Sequence, residues 1–481
     1  MLLKHSAFYL FARGLPGIIN FFALALFTRF LLPLEYGHYA LIIAGVGLFN
    51  SVFFQWLRLG LLRFLPSYRE NSKPLLSAIL TGFSFCCLFT GIIGVLFLLF
   101  WPEPALRKLI GLAIPLLWTQ SWFELNLEFA RSQLSPLRYG LLSVTKAGLA
   151  FAIGILFIFL GFGVFGPLLG LLLGMFLAGV VLPFNRWKGN ITFYIDKEII
   201  SKLLSYGLPL TATFALNFII SSSDRFILGW LLGSEATGLY AAGYDLAQRS
   251  LGVLMMTVNL AAYPLAIQAL EQKGVKAAAE QLKENATLLL AIALPAVVGM
   301  IMLSKNISGV VLGIEFQDAA TRIIPWIAPA FFFSGLKHYY LDLSFQLGTK
   351  TIGQLWVSLI AAVINIVLNL FMIPVYGIIG AAYATLTSFT VAGFLSYIWG
   401  KKVFPIPSLL HIDALKILLA SAAMALSLLF VMSYSGCFAL VGQIFFGASV
   451  YIALILVLNV AESRYKLKKI LLNVQIRKES C

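Results

Sequence analysis

From Ser358 to Thr387 the chain consists of two uncharged apolar runs that meet at Pro374-Val375-Tyr376-Gly377. Each run is close to the ~20 residues that a helix needs to cross a bilayer core. Pro lacks a donor N–H and Gly accepts the tight backbone of a cap, so the four-residue junction predicts a turn. The pattern predicts a transmembrane helical hairpin. Its small face, Gly377, Gly380, Ala381, Ala382 and Ala384, would let a neighbouring helix approach closely inside lipid. Runs of the same kind recur along the whole chain. They predict about fourteen spans: 8–30, 38–60, 75–101, 107–131, 137–160, 164–185, 203–229, 236–265, 284–303, 322–346, 351–372, 377–400, 414–433 and 436–460. The runs are long and continuous, where barrel strands would be short and alternating, so the expected class is an all-α polytopic membrane protein.

The pattern also repeats on a longer scale. Gly163-Val164-Phe165-Gly166 follows an apolar run as Gly377-Ile378-Ile379-Gly380 follows its own. Gly14-Leu15-Pro16, Arg29-Phe30 and Gly37-His38-Tyr39-Ala40 are echoed in order by Gly207-Leu208-Pro209, Arg225-Phe226 and Gly238-Leu239-Tyr240-Ala241. Two related halves are therefore expected. The expected organisation is an N-lobe at 1–190, a cytoplasmic linker at 191–202, a C-lobe at 203–400, two further spans at 401–460 and a basic tail at 461–481.

Composition agrees with the pattern. The 481 residues are 60% hydrophobic and 11% charged, with a mean hydropathy of +0.95. Soluble chains carry about 25% charged residues. The net charge of +15 does not point to nucleic acid. About 23 Lys and Arg fall in the loops and tail on the side of the termini, and about five on the other side. That bias predicts cytoplasmic termini and contact with anionic membrane lipids. The cysteines have neither disulfide nor metal spacing, and no cofactor is expected. Asn190-Ile191-Thr192 and Asn285-Ala286-Thr287 match the glycosylation acceptor pattern, but one faces the cytoplasm and the other a membrane boundary.

Charges within spans are costly and usually face a cavity or a partner. Arg13, Arg58 and Arg225 lie within a turn or two of span ends, where snorkelling to the interface is the plain alternative. Lys146 lies about nine residues into its span, near 14 Å deep at 1.5 Å per residue. Arg249 and Lys337 are similarly deep. For these the alternative to a cavity role is neutralisation by a carboxylate. Asp245, one turn from Arg249, suits such a pair. Asp342, five residues beyond Lys337, is a poorer helical match, and Lys146 has no local acid. Glu124 and Glu128 share one helix face at i, i+4. Like charges so placed disfavour double ionisation, which is one way to build a proton carrier. Arg131 can instead pair with Glu128. Asp224 beside Arg225 is open to the same two readings. The expected substrate-cavity set is Lys146, Arg249, Lys337, Arg58, Arg13 and Arg225, and the expected ion-coupling set is Glu124, Glu128, Asp224 and Asp245. A cationic interior would attract a diphosphate.

Several motifs resemble the polysaccharide transporter branch of the multidrug/oligosaccharidyl-lipid/polysaccharide exporter superfamily. They are Asn365-Ile366-Val367-Leu368-Asn369, Ile373-Pro374, Tyr376-Gly377, Gly380-Ala381-Ala382 and Ala384-Thr385, with Arg29 through Pro33 and Glu35-Tyr36-Gly37-His38-Tyr39-Ala40. The resemblance implies two six-helix lobes with two appended helices, working by alternating access. It implies a flippase that moves undecaprenyl-diphosphate-linked oligosaccharide to the outer leaflet of a bacterial inner membrane. Polymerase and chain-length regulator partners would follow. A multidrug-type antiporter of the same superfamily is the second expectation, although an acidic cavity would suit it better. A membrane glycosyltransferase or polymerase would need a carboxylate base or metal site at a membrane face or in a sizeable outer loop, and the outer loops are short. A primary pump would need a phosphate-binding Gly-rich Lys-Ser/Thr loop, and the sequence has none.

Overall fold

A computed structural model describes residues 2–68, 71–101, 103–181, 187, 196–409 and 411–465, with the side chains of 2–13, 260 and 261 outside the described set. Among the described residues the regular structure is entirely helical. We label the helices α1 (Leu2–Phe30), α2 (Pro33–Tyr68), α3 (Lys73–Phe100), α4 (Pro104–Ser132), α5 (Pro136–Phe159) and α6 (Phe165–Val181). Helical backbone then runs from Lys197–Met302, but Gly233 and Gly274 sit at φ +88° and +82°, which no right-handed helix accommodates. Contacts across both glycines show that the run doubles back. Thr237 donates to the Arg225 carbonyl at 3.4 Å, and Asn285 donates to the Ala262 carbonyl at 2.9 Å. The run is therefore three legs, α7 (197–232), α8 (234–273) and α9 (275–302). A short α10 (Ser304–Val311) leads to α11 (Ile314–Leu347), α12 (Ile352–Tyr376), α13 (Ile378–Lys401), α14 (Ile412–Leu428) and α15 (Cys437–Val457). Apart from α10, these helices correspond to the fourteen expected spans, with ends shifted by up to nine residues.

Proline opens many of these helices. Pro33, Pro74, Pro104 and Pro136 sit at the first or second position, where the missing N–H costs nothing. Interior Pro16, Pro115 and Pro374 do not end theirs. The expected stop at 374–377 is thus narrower than four residues. α12 continues through Pro374, and only Gly377, at φ +61°, turns the chain. Gly377 donates to the Ile373 carbonyl at 2.8 Å, and Gly380 donates back to Gly377 at 3.0 Å. The echoed stretch has the same backbone: Gly163 lies at φ +52°, and Gly166 donates to its carbonyl at 3.0 Å.

The chain divides into two compact units. The first comprises Met1–Leu246, Leu312–Ala319 and Leu355–Ser388; the second comprises Ala247–Val311, Ala320–Gln354 and Phe389–Cys481. The core of the second unit is an alanine-rich α8–α9 hairpin, with Ala266, Ala278, Ala286 and Ala293 buried against Tyr340, Leu341 and Ile417. Small side chains let helices close on one another where lipid supplies no hydrophobic drive. A second cluster in the same unit, around Leu303, Ala420, Met424, Leu428 and Leu440, seats the α14–α15 hairpin.

Three π-helical turns, Asn50–Phe54, Leu177–Val181 and Lys337–Leu341, interrupt α2, the end of α6 and α11. Such turns displace the side-chain register by one residue and often mark functional sites.

Candidate functional site

Among the described residues, the buried arginines, lysine and aspartates gather into three clusters. The first lies in the first unit between α2 and α4. The Asn50–Phe54 π-turn places Asn50 and Arg58 on one side of α2, facing α4. Glu124 of α4 forms an ion pair with Arg58 and accepts hydrogen bonds from Asn50 and Gln120, each at 2.9 Å. Arg58 also bonds Gln55 and is buried. Glu128, one turn on, contacts Arg131 at 3.4 Å in a half-exposed pair. The two carboxylates of the i, i+4 pair therefore differ in their direct cationic contacts, although Glu128 also lies within electrostatic reach of Arg58.

The second cluster is also in the first unit and spans the turn at Gly233. Arg225 reaches across it to Asp245, with Nη2 2.6 Å from Oδ1. The Tyr36 hydroxyl donates to the other oxygen of Asp245 at 3.2 Å. The Arg225 guanidinium lies 5.2 Å from the centre of the Tyr244 ring, a cation–π contact. Asp224 is fully buried and accepts from the Arg225 backbone N–H at 2.8 Å and from the Tyr240 hydroxyl at 2.5 Å. Thr385 Oγ1 lies 3.5 Å from the same hydroxyl. Asp245 is thus the direct partner of the guanidinium, and hydroxyl and backbone N–H donors serve Asp224.

The third cluster is in the second unit. Lys337 is 1% exposed, and its ammonium lies 2.7 Å from Asp342 Oδ2. Asp342 also accepts from Gln354 at 3.2 Å and from Ser396 at 2.8 Å. An α-helix sets residues five apart at an angle, which is why this pair is a poor match by sequence spacing. The π-turn removes the difficulty. Its i→i+5 bond, Asp342 N–H to Lys337 carbonyl at 2.8 Å, brings both side chains to the same face.

The expected residues thus fall into distinct settings. Arg58, Arg225 and Lys337 have their charges engaged by carboxylates, which is the alternative given for Lys337 but not for Arg58 and Arg225, where it is snorkelling; Asp224 and Asp245 come together around Arg225. Lys146 and Arg249 are half-buried on α5 and α8. The side chain of Arg13 lies outside the described residues. Sequence reasoning missed Asn50, Gln120, Tyr36 and Ser396, which complete the clusters. The available signal was a polar side chain inside an apolar run, and Asn50 between Phe49 and Phe53 carries it most plainly.

Comparison with known proteins agrees with this architecture. Residues 26–321, more than half of the chain, match the family described as polysaccharide biosynthesis protein. Over 403 residues, 79% of this chain and 93% of the relative, the sequence is 22% identical to a Shigella flexneri protein assigned as an O-antigen transporter. The inward closed structure of the lipid II flippase MurJ superposes with a TM-score of 0.78 at 18% identity, covering 94% of this chain and 98% of that one. An outward-facing multidrug resistance MATE transporter of the MOP superfamily superposes with a TM-score of 0.58 at 15% identity, covering 83% and 94%. At these identities the structural likenesses establish the fold, and the match over residues 26–321 establishes the family. The chain is a multi-pass, all-helical membrane protein that belongs to the polysaccharide biosynthesis protein family.

Proposed function

We propose that the protein is a flippase for undecaprenyl-diphosphate-linked oligosaccharide repeat units. It moves them from the cytoplasmic to the outer leaflet of a bacterial inner membrane, for assembly of O-antigen, capsule or exopolysaccharide. The reading is supported by the family, by the O-antigen transporter relative over 79% of the chain, and by the fold shared with a lipid II flippase. The multidrug-type antiporter is supported only by the lower likeness to a MATE transporter.

The observation that carries a mechanism is the set of guanidinium–carboxylate pairs inside the helices. An arginine held by a carboxylate can be taken over by a diphosphate, whose oxygens accept the same paired N–H donors. The released carboxylate then lies buried beside a second anion, a setting that favours proton uptake. In this cycle Lys146, Arg249 and Arg13 attract the headgroup in a cationic cavity reached by alternating access. Arg58 and Arg225 exchange partners, and Glu124, Glu128, Asp224 and Asp245 carry the coupling proton. Lys337 stays with Asp342 and holds its helix. The positive-inside bias supports cytoplasmic termini and contact with anionic lipids. A polymerase and a chain-length regulator would act on the product.

The test is flipping of a fluorescent lipid-linked oligosaccharide in proteoliposomes, with Lys146→Gln and Arg249→Gln beside wild type. Both variants are expected to lose most of the rate while remaining folded. Wild-type rates from both would reject the cationic cavity, and absence of flipping by wild type would reject the function.

A further inference from the structure

Phe226, the residue after Arg225, lines a half-open cavity of about 310 Å³ between α2, α3, α4 and α7 in the first unit. The volume lies at the low end of small-ligand pockets, which run from about 300 to 1,000 Å³. Thr90 is the one hydroxyl in the lining, and its hydrogen bonds are already made. It donates to the Cys86 carbonyl at 2.7 Å and receives the Trp118 indole N–H at 3.1 Å. Apart from Thr90 and the Trp101 indole the lining side chains are apolar, and a space so lined favours apolar matter over water. Phe97 stands at its rim, 42% exposed, with ring contacts to Phe49 and Trp101 at 6.5 and 6.0 Å. Gly45 leaves part of the volume open, since a β-carbon there would meet nothing within 4 Å.

Such a space takes a hydrocarbon chain, and the remaining question is which one. A phospholipid tail gains little by leaving the bilayer for an equally apolar wall. An undecaprenyl chain outreaches one leaflet, half of a hydrocarbon core about 30 Å thick, so part of it must fold or find a niche. The walls are β-branched and aromatic side chains such as Ile42, Val46, Ile93 and Phe226. Their hollows and bulges complement a methyl-branched chain better than a straight one. We propose that this cavity seats a segment of the polyisoprenoid tail of the carrier lipid. The proposal rests on the flippase reading above and assigns it a tail site separate from the charged clusters.

The probe is a polyprenyl diphosphate with a benzophenone at its terminal isoprene, added to the full-length protein in phospholipid nanodiscs. Irradiation is expected to label the lining of the cavity, in segments 41–49 and 90–117 or at Phe226. Gly45→Leu fills the space from α2 and is expected to lower that labelling about tenfold, the equivalent of roughly 1.4 kcal/mol. Ala113→Leu fills it from α4 with the same expected effect and carries the test if Gly45→Leu does not fold. Gly442→Leu, at an open exposed position on α15, is expected to leave labelling unchanged. Label that is unmoved by both cavity-filling variants, or that maps outside 41–49, 90–117 and Phe226, overturns the proposal. So does equal competition by excess phosphatidylethanolamine and unlabelled polyprenyl phosphate, which would identify an ordinary bilayer tail as the occupant. The readout is binding, so its failure leaves the flippase reading standing. A labelled cavity without flipping would overturn only that function.

Discussion

Gly37 and Gly238 face each other at a reciprocal helix crossing within the first unit. A β-carbon on Gly37 would collide with the Ser234 carbonyl oxygen, and one on Gly238 would collide with the Pro33 carbonyl oxygen. Each obstructing carbonyl lies four residues before the opposite glycine. The contact is therefore self-complementary, as a two-fold interface is. These are also the glycines at which the repeated Gly-x-Tyr-Ala pattern begins, so corresponding positions of the two echoes meet each other. The crossing has room for hydrogen only. Gly37→Ala and Gly238→Ala are each expected to cost about 1–3 kcal/mol of stability through overpacking. Gly442→Ala, with open space around it, is expected to be neutral or slightly favourable. Thermal unfolding in detergent compares the three, and equal melting temperatures would show that the crossing is looser than described.

Lys337 and Asp342 form the most deeply buried ion pair described. Removing one partner strands the other charge, at a cost of about 3–5 kcal/mol. Asp342→Asn or Lys337→Met alone is therefore expected to reduce the yield of folded protein sharply. The double variant Lys337→Met/Asp342→Leu is expected to recover most of it, because a packed apolar pair often replaces a buried salt bridge at little cost. If the double variant is folded and also flips substrate, Lys337 holds the helix and does not contact the headgroup. A folded double variant that has lost flipping would return Lys337 to the substrate path.

Glu124 and Glu128 share a helix face but not a setting. Glu124 has a buried arginine and two amide donors, whereas Glu128 has one half-exposed arginine at 3.4 Å. An exposed pair contributes about 0–1 kcal/mol. Glu128→Gln is thus expected to leave stability near wild type and to weaken the gradient response less than Glu124→Gln does. Glu124→Gln is expected to remove the component of flipping that responds to an imposed pH gradient. Transport in vesicles with and without the gradient measures both, and an unaltered gradient response in Glu124→Gln would take that residue out of the coupling.

Tyr36 and Arg225 hold the two oxygens of Asp245. Tyr36→Phe removes one neutral donor and is expected to cost about 1 kcal/mol. Asp245→Asn leaves a buried guanidinium without its countercharge and is expected to cost several times as much. Chemical unfolding of the two variants tests the ratio. Similar losses would mean that Arg225 is sustained by Asp224 as well.

Much of this molecule is legible in its sequence because a bilayer imposes local rules. A span must be about 20 apolar residues long and satisfy its own backbone, so each helix can be read from its own stretch of chain. All fourteen spans were legible in this way. So was the likeness of Gly163 to Gly377, since a left-handed cap is a property of a few adjacent residues. The Lys197–Met302 run shows the same logic, because its two reversals stand at glycines in loops that the charge pattern had already separated.

The pairing of charges depended on distances that no local rule supplies. Arg58 finds Glu124 from another helix, and Arg225 reaches Asp245 across a turn. Lys337 meets Asp342 only because a π-turn shifts the register by one residue. An ion inside a membrane accepts whichever opposite charge the packing brings within reach, and the packing of the whole bundle decides which that is. The sequence alone determined which segments cross the membrane and which charges they carry into it. Only the tertiary structure decided which of those charges were neutralised and by what.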